Sequence, residues 1–198
     1  LSAQFAERYP DVAFYHTGII PMNYSFATEG QKDMSTLVPA MLLLIIVLLA
    51  VLLRSVLAML GTVVVLVLTI VATMGLAGWM GFFLSTGTIN VPIVVLTIAV
   101  ADCVHVVATM QYGMKQGKSR KDAVRYSLEL NWMPIFITSA TTAVGFLTLM
   151  MSESPVFADF GFLCAMGVML AYVMSVTLFP ALLSVLPVGA GGRVDDKA

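Results

Sequence analysis

The stretch VPIVVLTIAVADCVHVVATM, residues 91–110, decides the fold. Its length matches the roughly 20 apolar residues that an α-helix needs to cross the hydrocarbon core of a bilayer. A single charged residue, Asp102, interrupts an otherwise apolar run. The stretch therefore predicts a membrane-spanning helix that carries one carboxylate inside the bilayer.

The rest of the chain repeats this apolar pattern. Of the 198 residues, 60% are hydrophobic and 11% are charged, whereas a soluble domain carries about 25% charged residues. A soluble fold is therefore excluded, and the predicted fold class is an all-α membrane protein with a five-helix transmembrane bundle over residues 36–188. Pro180 is expected to kink or end the last helix, because proline removes a backbone donor. The five predicted spans cover residues 37–53, 56–79, 91–110, 132–151 and 157–179.

Basic residues predict the orientation of the bundle. Lysine and arginine collect in the loop 113–131, and Arg54, Arg193 and Lys197 fall on the same side of the membrane. The opposite loops, 81–90 and 152–156, contain no basic residue. By the positive-inside rule the N-terminus lies outside and the tail 189–198 lies in the cytoplasm. The predicted location is a cell membrane, with a bacterial inner membrane as the favoured one.

Within the basic loop, Ser119–Leu130 has the pattern of a short amphipathic helix, and Ser119 with Asp122 resembles a capping box. The alternative is a solvated loop that only fixes topology. In the helical interpretation one face turns to the membrane and the other to water. The membrane face would hold Val124, Leu128 and Tyr126, and the water face Lys121, Arg125 and Glu129.

The N-terminal segment, residues 1–35, is polar enough to lie outside the membrane. Leu1, Phe5 and Tyr9 recur at helical spacing, and the runs Val12–Tyr15 and Thr17–Ile20 favour a strand. This mixture predicts a short α+β remnant of an extracytoplasmic domain. We expect the chain to be a piece of a longer protein.

Asp102 is the most informative position. It lies eleven residues after Val91, which places it about 16 Å into a core roughly 30 Å thick. A charge at that depth costs at least about 2.5–3.5 kcal/mol and is expected to face protein or water. A carboxylate that takes up and releases a proton at mid-depth is what a proton-coupled transporter requires. The alternative is an aspartate that only hydrogen-bonds neighbouring helices.

The fourth predicted span supplies a polar face. Thr138, Thr141, Thr142 and Gly145 recur on one side of a helix. Counted from Trp132, Thr142 shares the depth of Asp102, so these hydroxyls are expected to hydrogen-bond Asp102 or hold a water beside it. The alternative is close packing by small residues, which membrane helices use widely.

His105 follows Asp102 by one turn, on the same face and nearer the cytoplasm. It is expected to share a proton with Asp102 or to form part of an exit path. The alternative is a buried neutral histidine bonded to a backbone group.

Other features favour packing rather than chemistry. Gly75 and Gly78 are expected to allow tight helix crossings, as is Gly145, and Cys103 and Cys164 are expected to behave as small apolar residues. No cluster of His and Cys has the spacing of a metal site. The sequence contains no nucleotide-binding loop and no nucleophile–base pairing, so no enzyme activity, cofactor or nucleic-acid partner is predicted.

Several motifs, taken in order, resemble one family. VADCVH at residues 100–105 resembles the acidic motif in the fourth membrane helix of resistance-nodulation-division (RND) exporters, and in particular of the MMPL-like lipid exporters. The resemblance continues through SATTAVGF at 139–146, Ser154-Pro155, DFG at 159–161 and LFPALL at 178–183. One departure is Cys103, which stands where the motif usually has a tyrosine.

This resemblance implies that the five helices are helices two to six of a six-helix repeat, the same unit from which sterol-sensing domains are built. Residues 1–35 would then be the end of a porter-like domain. It also implies proton-driven efflux, a proton antiport, of lipids or other hydrophobic molecules. Asp102 would be the proton relay, and the remaining half of the transporter and membrane lipids would be partners.

Two other functions stay open. A sterol- or lipid-sensing membrane module would bind its ligand without pumping. A protein-translocation subunit of the SecD/SecF kind shares the same bundle.

Overall fold

The computed structural model describes residues 17–53, 55–83, 85 and 87–186. Almost all of these residues are helical, and five helical segments are long and apolar enough to cross a membrane. The predicted all-α bundle of five spans is confirmed. The α-helices are α1 (Ile19–Leu53), α2 (Val56–Trp79), α3 (Val91–Lys115), α4 (Arg120–Leu147), α5 (Pro155–Val176) and α6 (Leu178–Val185), with 3-10 turns at Thr88–Asn90 and Thr148–Met151.

The beginning of α1 corrects one prediction. Ile19 and Ile20 lie in the first turn of α1, so the strand predicted over Thr17–Ile20 is wrong there. A helix that already exists extends with one hydrogen bond for each residue it orders, whereas an isolated strand needs a partner. The strand predicted at 12–15 and the helical repeat at 1–9 lie outside the described residues. The predicted domain boundary at residue 35 falls within α1 and stays a prediction.

Helix α4 begins where the sequence predicts. The Ser119 hydroxyl accepts a hydrogen bond from the Asp122 backbone N–H at 3.3 Å and donates to the Asp122 carboxylate. The helix does not stop at Leu130, however, but continues through Pro134 to Leu147. The amphipathic segment is therefore the first part of a long spanning helix.

The first turns of α4 pack against α3, which corrects the predicted membrane face. Val124 is buried in the core beside Ala123, and the Ser127 hydroxyl donates to the Val106 carbonyl at 2.6 Å. Val124 therefore faces protein, because the turn after Lys115 folds α4 back onto the end of α3. The predicted water-facing residues Lys121, Arg125 and Glu129 are exposed.

The last span ends as Pro180 predicts. Helix α5 stops at Val176, and α6 starts at Leu178 with Pro180 in its first turn. A proline is tolerated there, because the N–H groups of the first turn have no partner within the helix. Phe179 and Leu183 of α6 are fully buried and close this end of the bundle.

The tight crossings of the bundle involve different glycines from those predicted. A Cβ on Gly167 of α5 would clash with Val95 of α3 and lie 2.9 Å from the Thr73 methyl group of α2. A Cβ on Gly161 would clash with the Phe146 carbonyl and lie 2.7 Å from the Leu149 Cβ. By contrast, a Cβ on any of the predicted packing glycines would meet no atom of the described chain within 4 Å; these are Gly75, Gly78 and Gly145.

Candidate functional site

A cavity of about 380 Å³ lies between α3 and α4 and contains Asp102. Both helices present one face to it, since residues three or four apart lie on the same side of a helix. The bond between Ser127 and Val106 fixes how the two antiparallel helices align. The lining residues are Thr97, Ile98, Ala101, Asp102 and His105 from α3, and Asn131, Pro134, Ile135 and Thr138 from α4.

Among the described residues that line the cavity, only Asp102 has a carboxylate, and Asp102 is 4% exposed. Its Oδ2 atom has no hydrogen-bond partner among the described residues. Asp102 takes part in neither of the two ion pairs found among the described residues, which are Glu29–Lys32 and Arg125–Glu129. Buried polar atoms almost always have a partner, so an unpartnered carboxylate oxygen beside a cavity indicates a functional group.

Two of the other predicted site residues lie on the same cavity. The ring of His105 is exposed rather than buried, and it lines the cavity one turn from Asp102. Thr138 lines it from α4, while its hydroxyl donates to the Ile135 carbonyl at 2.9 Å. The fold thus brings Asp102, His105 and Thr138 together.

Thr141 and Thr142 are not among the lining residues. The Thr141 hydroxyl is exposed and donates to the Ile137 carbonyl at 2.8 Å. Because Ser127 lies opposite Val106, Asn131 lies opposite Asp102, and Thr142 lies about 16 Å further along α4. Thr142 therefore does not share the depth of Asp102, contrary to the prediction from the sequence. That prediction counted residues from Trp132 as the start of the helix, whereas α4 starts at Arg120.

Two further polar residues, Asn131 and Ser139, were not predicted from the sequence. The Asn131 side-chain amide donates to the Ser127 carbonyl at 2.9 Å and lines the cavity opposite Asp102. The signal was present, because Asn131 continues the helical face of Thr138 towards the basic loop. Ser139 is 1% exposed, and its hydroxyl has no partner among the described residues.

A larger cavity of about 490 Å³ lies at the opposite end of the bundle from the basic loop. Its lining is mostly apolar, and none of the described residues that line it has an ionisable side chain. It offers space for an apolar ligand but no group that transfers a proton. The lining residues are Met22, Asn23, Phe26, Gly87, Asn90, Ser154, Val156, Phe157 and Phe160.

The chain is similar to known membrane proteins. The model of the MMPL family matches residues 3–195 of the chain. A membrane protein of Methanocaldococcus jannaschii is 24% identical over 174 residues, which cover 88% of this chain and 45% of that protein. The chain therefore spans less than half the length of this relative.

Proposed function

The chain belongs to the MMPL family, and from that premise we propose that it is the transmembrane unit of a proton-driven exporter of lipids or other hydrophobic molecules. Proteins of this family are membrane transporters rather than enzymes. The proposal gives Asp102 the role of the proton-relay group.

The unpartnered Asp102 oxygen carries this proposal. A carboxylate kept at mid-depth without a partner among the described residues is costly to ionise. Such a group persists when protonation and deprotonation are its function. The cavity of about 380 Å³ has room for several waters, at about 30 Å³ each, and these would carry protons to the carboxylate.

The proposed proton path would run from Asp102 towards the basic end of the bundle, where the cavity lining is polar. His105 and Asn131 line the end of the cavity nearest the basic loop, and the Asn131 amide is held by the Ser127 carbonyl. We assign His105 to proton exchange with Asp102 and Asn131 to holding water beside it. Thr138 lies towards the other end of the cavity.

The open side of the cavity supports the presence of a further membrane unit. Ala101, His105, Pro134 and Thr138 are exposed on the surface of this bundle. An ionisable group is expected to face protein or water rather than lipid. We therefore propose that the remaining half of the transporter covers this face and completes the proton path.

The cargo part of the proposal rests on the larger cavity. Its aromatic and apolar lining, including Phe26, Phe157 and Phe160, suits a hydrocarbon portion of a ligand. It lies away from Asp102, so cargo would bind at the end of the bundle opposite the basic loop, whereas protons would bind at mid-depth. The two events would be coupled through helix movement.

The proposal is tested by Asp102→Asn in the full-length protein. Asparagine keeps the size of the side chain but cannot ionise, so we expect export to fall by about a hundredfold or more and to lose its dependence on the proton gradient. Asp159→Asn is the matched control, because Asp159 of α5 lines a different cavity. Unchanged export by Asp102→Asn, at equal amounts of folded protein, would refute the proposal.

A lipid-sensing module without pumping is the second candidate, and the larger cavity favours it. The two functions differ in what Asp102 does. A sensor would keep lipid binding in Asp102→Asn and would move neither cargo nor protons in the unmodified protein.

A further inference from the structure

The turn between α3 and α4 concentrates positive charge. Five basic residues, which we call the basic turn, fall within eleven positions: Lys115, Lys118, Arg120, Lys121 and Arg125. The two acidic side chains nearby are already engaged, since Asp122 bonds to Ser119 and Glu129 pairs with Arg125 at 3.0 Å. Residues 115–129 therefore retain three net positive charges.

Two of these cations are held in place by the fold. The Lys118 ammonium lies 4.8 Å from the centre of the Tyr126 ring, a cation–π contact. The Arg120 guanidinium donates to the Leu186 carbonyl at 2.8 Å, a bond that uses one of its five N–H donors. Ordering cations before a ligand arrives reduces the entropy lost on binding.

The basic turn is adjacent to the lipid-facing surface. Tyr112 is 56% exposed near the end of α3, three residues before Lys115. Exposed Tyr and Trp side chains typically mark the level of lipid headgroups. Lys115 follows Tyr112 by about 5 Å along the helix axis, within reach of that level.

From this arrangement we propose that the basic turn binds the anionic headgroups of phospholipids in the adjacent leaflet. The ligand chemistry is a phosphodiester, met by the ammonium groups of Lys115, Lys118 and Lys121 and by the guanidinium of Arg120. The proposal goes beyond the proton-driven transport proposed above and does not depend on it. The alternative is that the positive charges only fix the topology of the chain. In that case the chain would bind anionic and zwitterionic lipids equally.

The experiment compares two spin-labelled lipids bound to the reconstituted chain. Electron paramagnetic resonance measures the association of phosphatidylglycerol relative to phosphatidylcholine. One ammonium group near an anionic lipid surface raises the association constant about fivefold. We therefore expect the chain to prefer phosphatidylglycerol over phosphatidylcholine by about fivefold at low salt. This preference should decline as salt shortens the Debye length from about 10 Å at 0.1 M to about 3 Å at 1 M.

Substitutions locate the preference. The triple variant Lys115→Gln, Lys118→Gln and Lys121→Gln should bind both lipids nearly equally, and the same three changes to Arg should keep the preference. Lys32→Gln is the control, since Lys32 lies on α1 and pairs with Glu29 at 3.5 Å. Equal binding by the unmodified chain, or an undiminished preference in the glutamine triple variant, would overturn the proposal.

Discussion

Buried polar groups on the two sides of α3 differ in their hydrogen bonding. On the side of α2 and α5, three fully buried threonines each donate to the carbonyl four residues earlier in α2, at 2.9, 2.8 and 2.7 Å. On the side of α4, the Asp102 carboxylate has an oxygen without a partner among the described residues and borders a cavity. The three threonines are Thr62, Thr69 and Thr73.

From this difference we infer that one side of α3 stabilises the bundle, whereas the other side holds the proposed proton-relay group. The α2–α3–α5 side is closely packed, and Gly167 allows Val95 and Thr73 to approach the backbone of α5. Its hydroxyls need nothing beyond their own helix, so they are compatible with lipid or protein around them. On the α4 side, a cavity borders Asp102, and one carboxylate oxygen has no partner among the described residues. Such an arrangement is expected where a proton must reach a carboxylate.

The largest effect on stability is expected from Gly161→Ala. The new methyl group would clash with the Phe146 carbonyl, which belongs to the backbone and cannot rotate away. We expect the free energy of unfolding to fall by about 3 kcal/mol, measured by denaturant titration in detergent micelles. Gly75→Ala is the matched control, because its methyl group would meet nothing within 4 Å. Equal losses in the two variants would mean that Gly161 is not at a tight crossing.

Asp102→Leu should move stability in the opposite direction. Removing a buried carboxylate with an unpartnered oxygen relieves its desolvation, so we expect the free energy of unfolding to rise by about 2 kcal/mol. Export should be lost in the same variant. A large destabilisation would indicate instead that Asp102 holds neighbouring helices together.

Asn131→Ala tests whether the cavity acts as a whole. Loss of one hydrogen-bonding group is worth about 1 kcal/mol, so we expect export by the full-length protein to slow by about fivefold. Thr141→Val should leave the rate unchanged, since the Thr141 hydroxyl bonds only to carbonyls of its own helix. If the export rate fell in Thr141→Val and not in Asn131→Ala, the threonine face predicted from the sequence, and not the cavity face, would lie opposite Asp102.

The smallest effect is expected from Thr69→Val on the packed side. The Thr69 hydroxyl donates to the Val65 carbonyl of the same helix at 2.8 Å, and valine has nearly the same shape. We expect the free energy of unfolding to change by less than about 1 kcal/mol. A larger loss, measured in the same denaturant titration, would show that the threonines of α2 contribute more than local bonds.

Most of the fold could be predicted from the sequence. Apolar runs of spanning length gave five helices, Pro180 marked the break before α6, and Asp102 stood out as the one charge in its span. These features depend on local composition and on the bilayer thickness, both of which a single sequence reveals. The family followed from motifs spread over residues 100–183.

The alignment and rotation of the helices could not be predicted in this way. A helical repeat shows that Thr138, Thr141 and Thr142 share a face, but not which residues of α3 lie opposite. Helix α4 also starts twelve residues before Trp132, because its first turns pack on α3. For the same reason Gly75 and Gly161 look alike in sequence, although only Gly161 meets a neighbouring backbone.

The central claim, that Asp102 gains and loses a proton during transport, is tested most directly by infrared difference spectroscopy of the full-length protein. The account predicts that acidifying the outer side produces the carboxyl stretching band of a protonated aspartate, and that this band is absent from Asp102→Asn but present in Asp159→Asn. A spectrum in which Asp102→Asn and the unmodified protein respond identically to pH would contradict it.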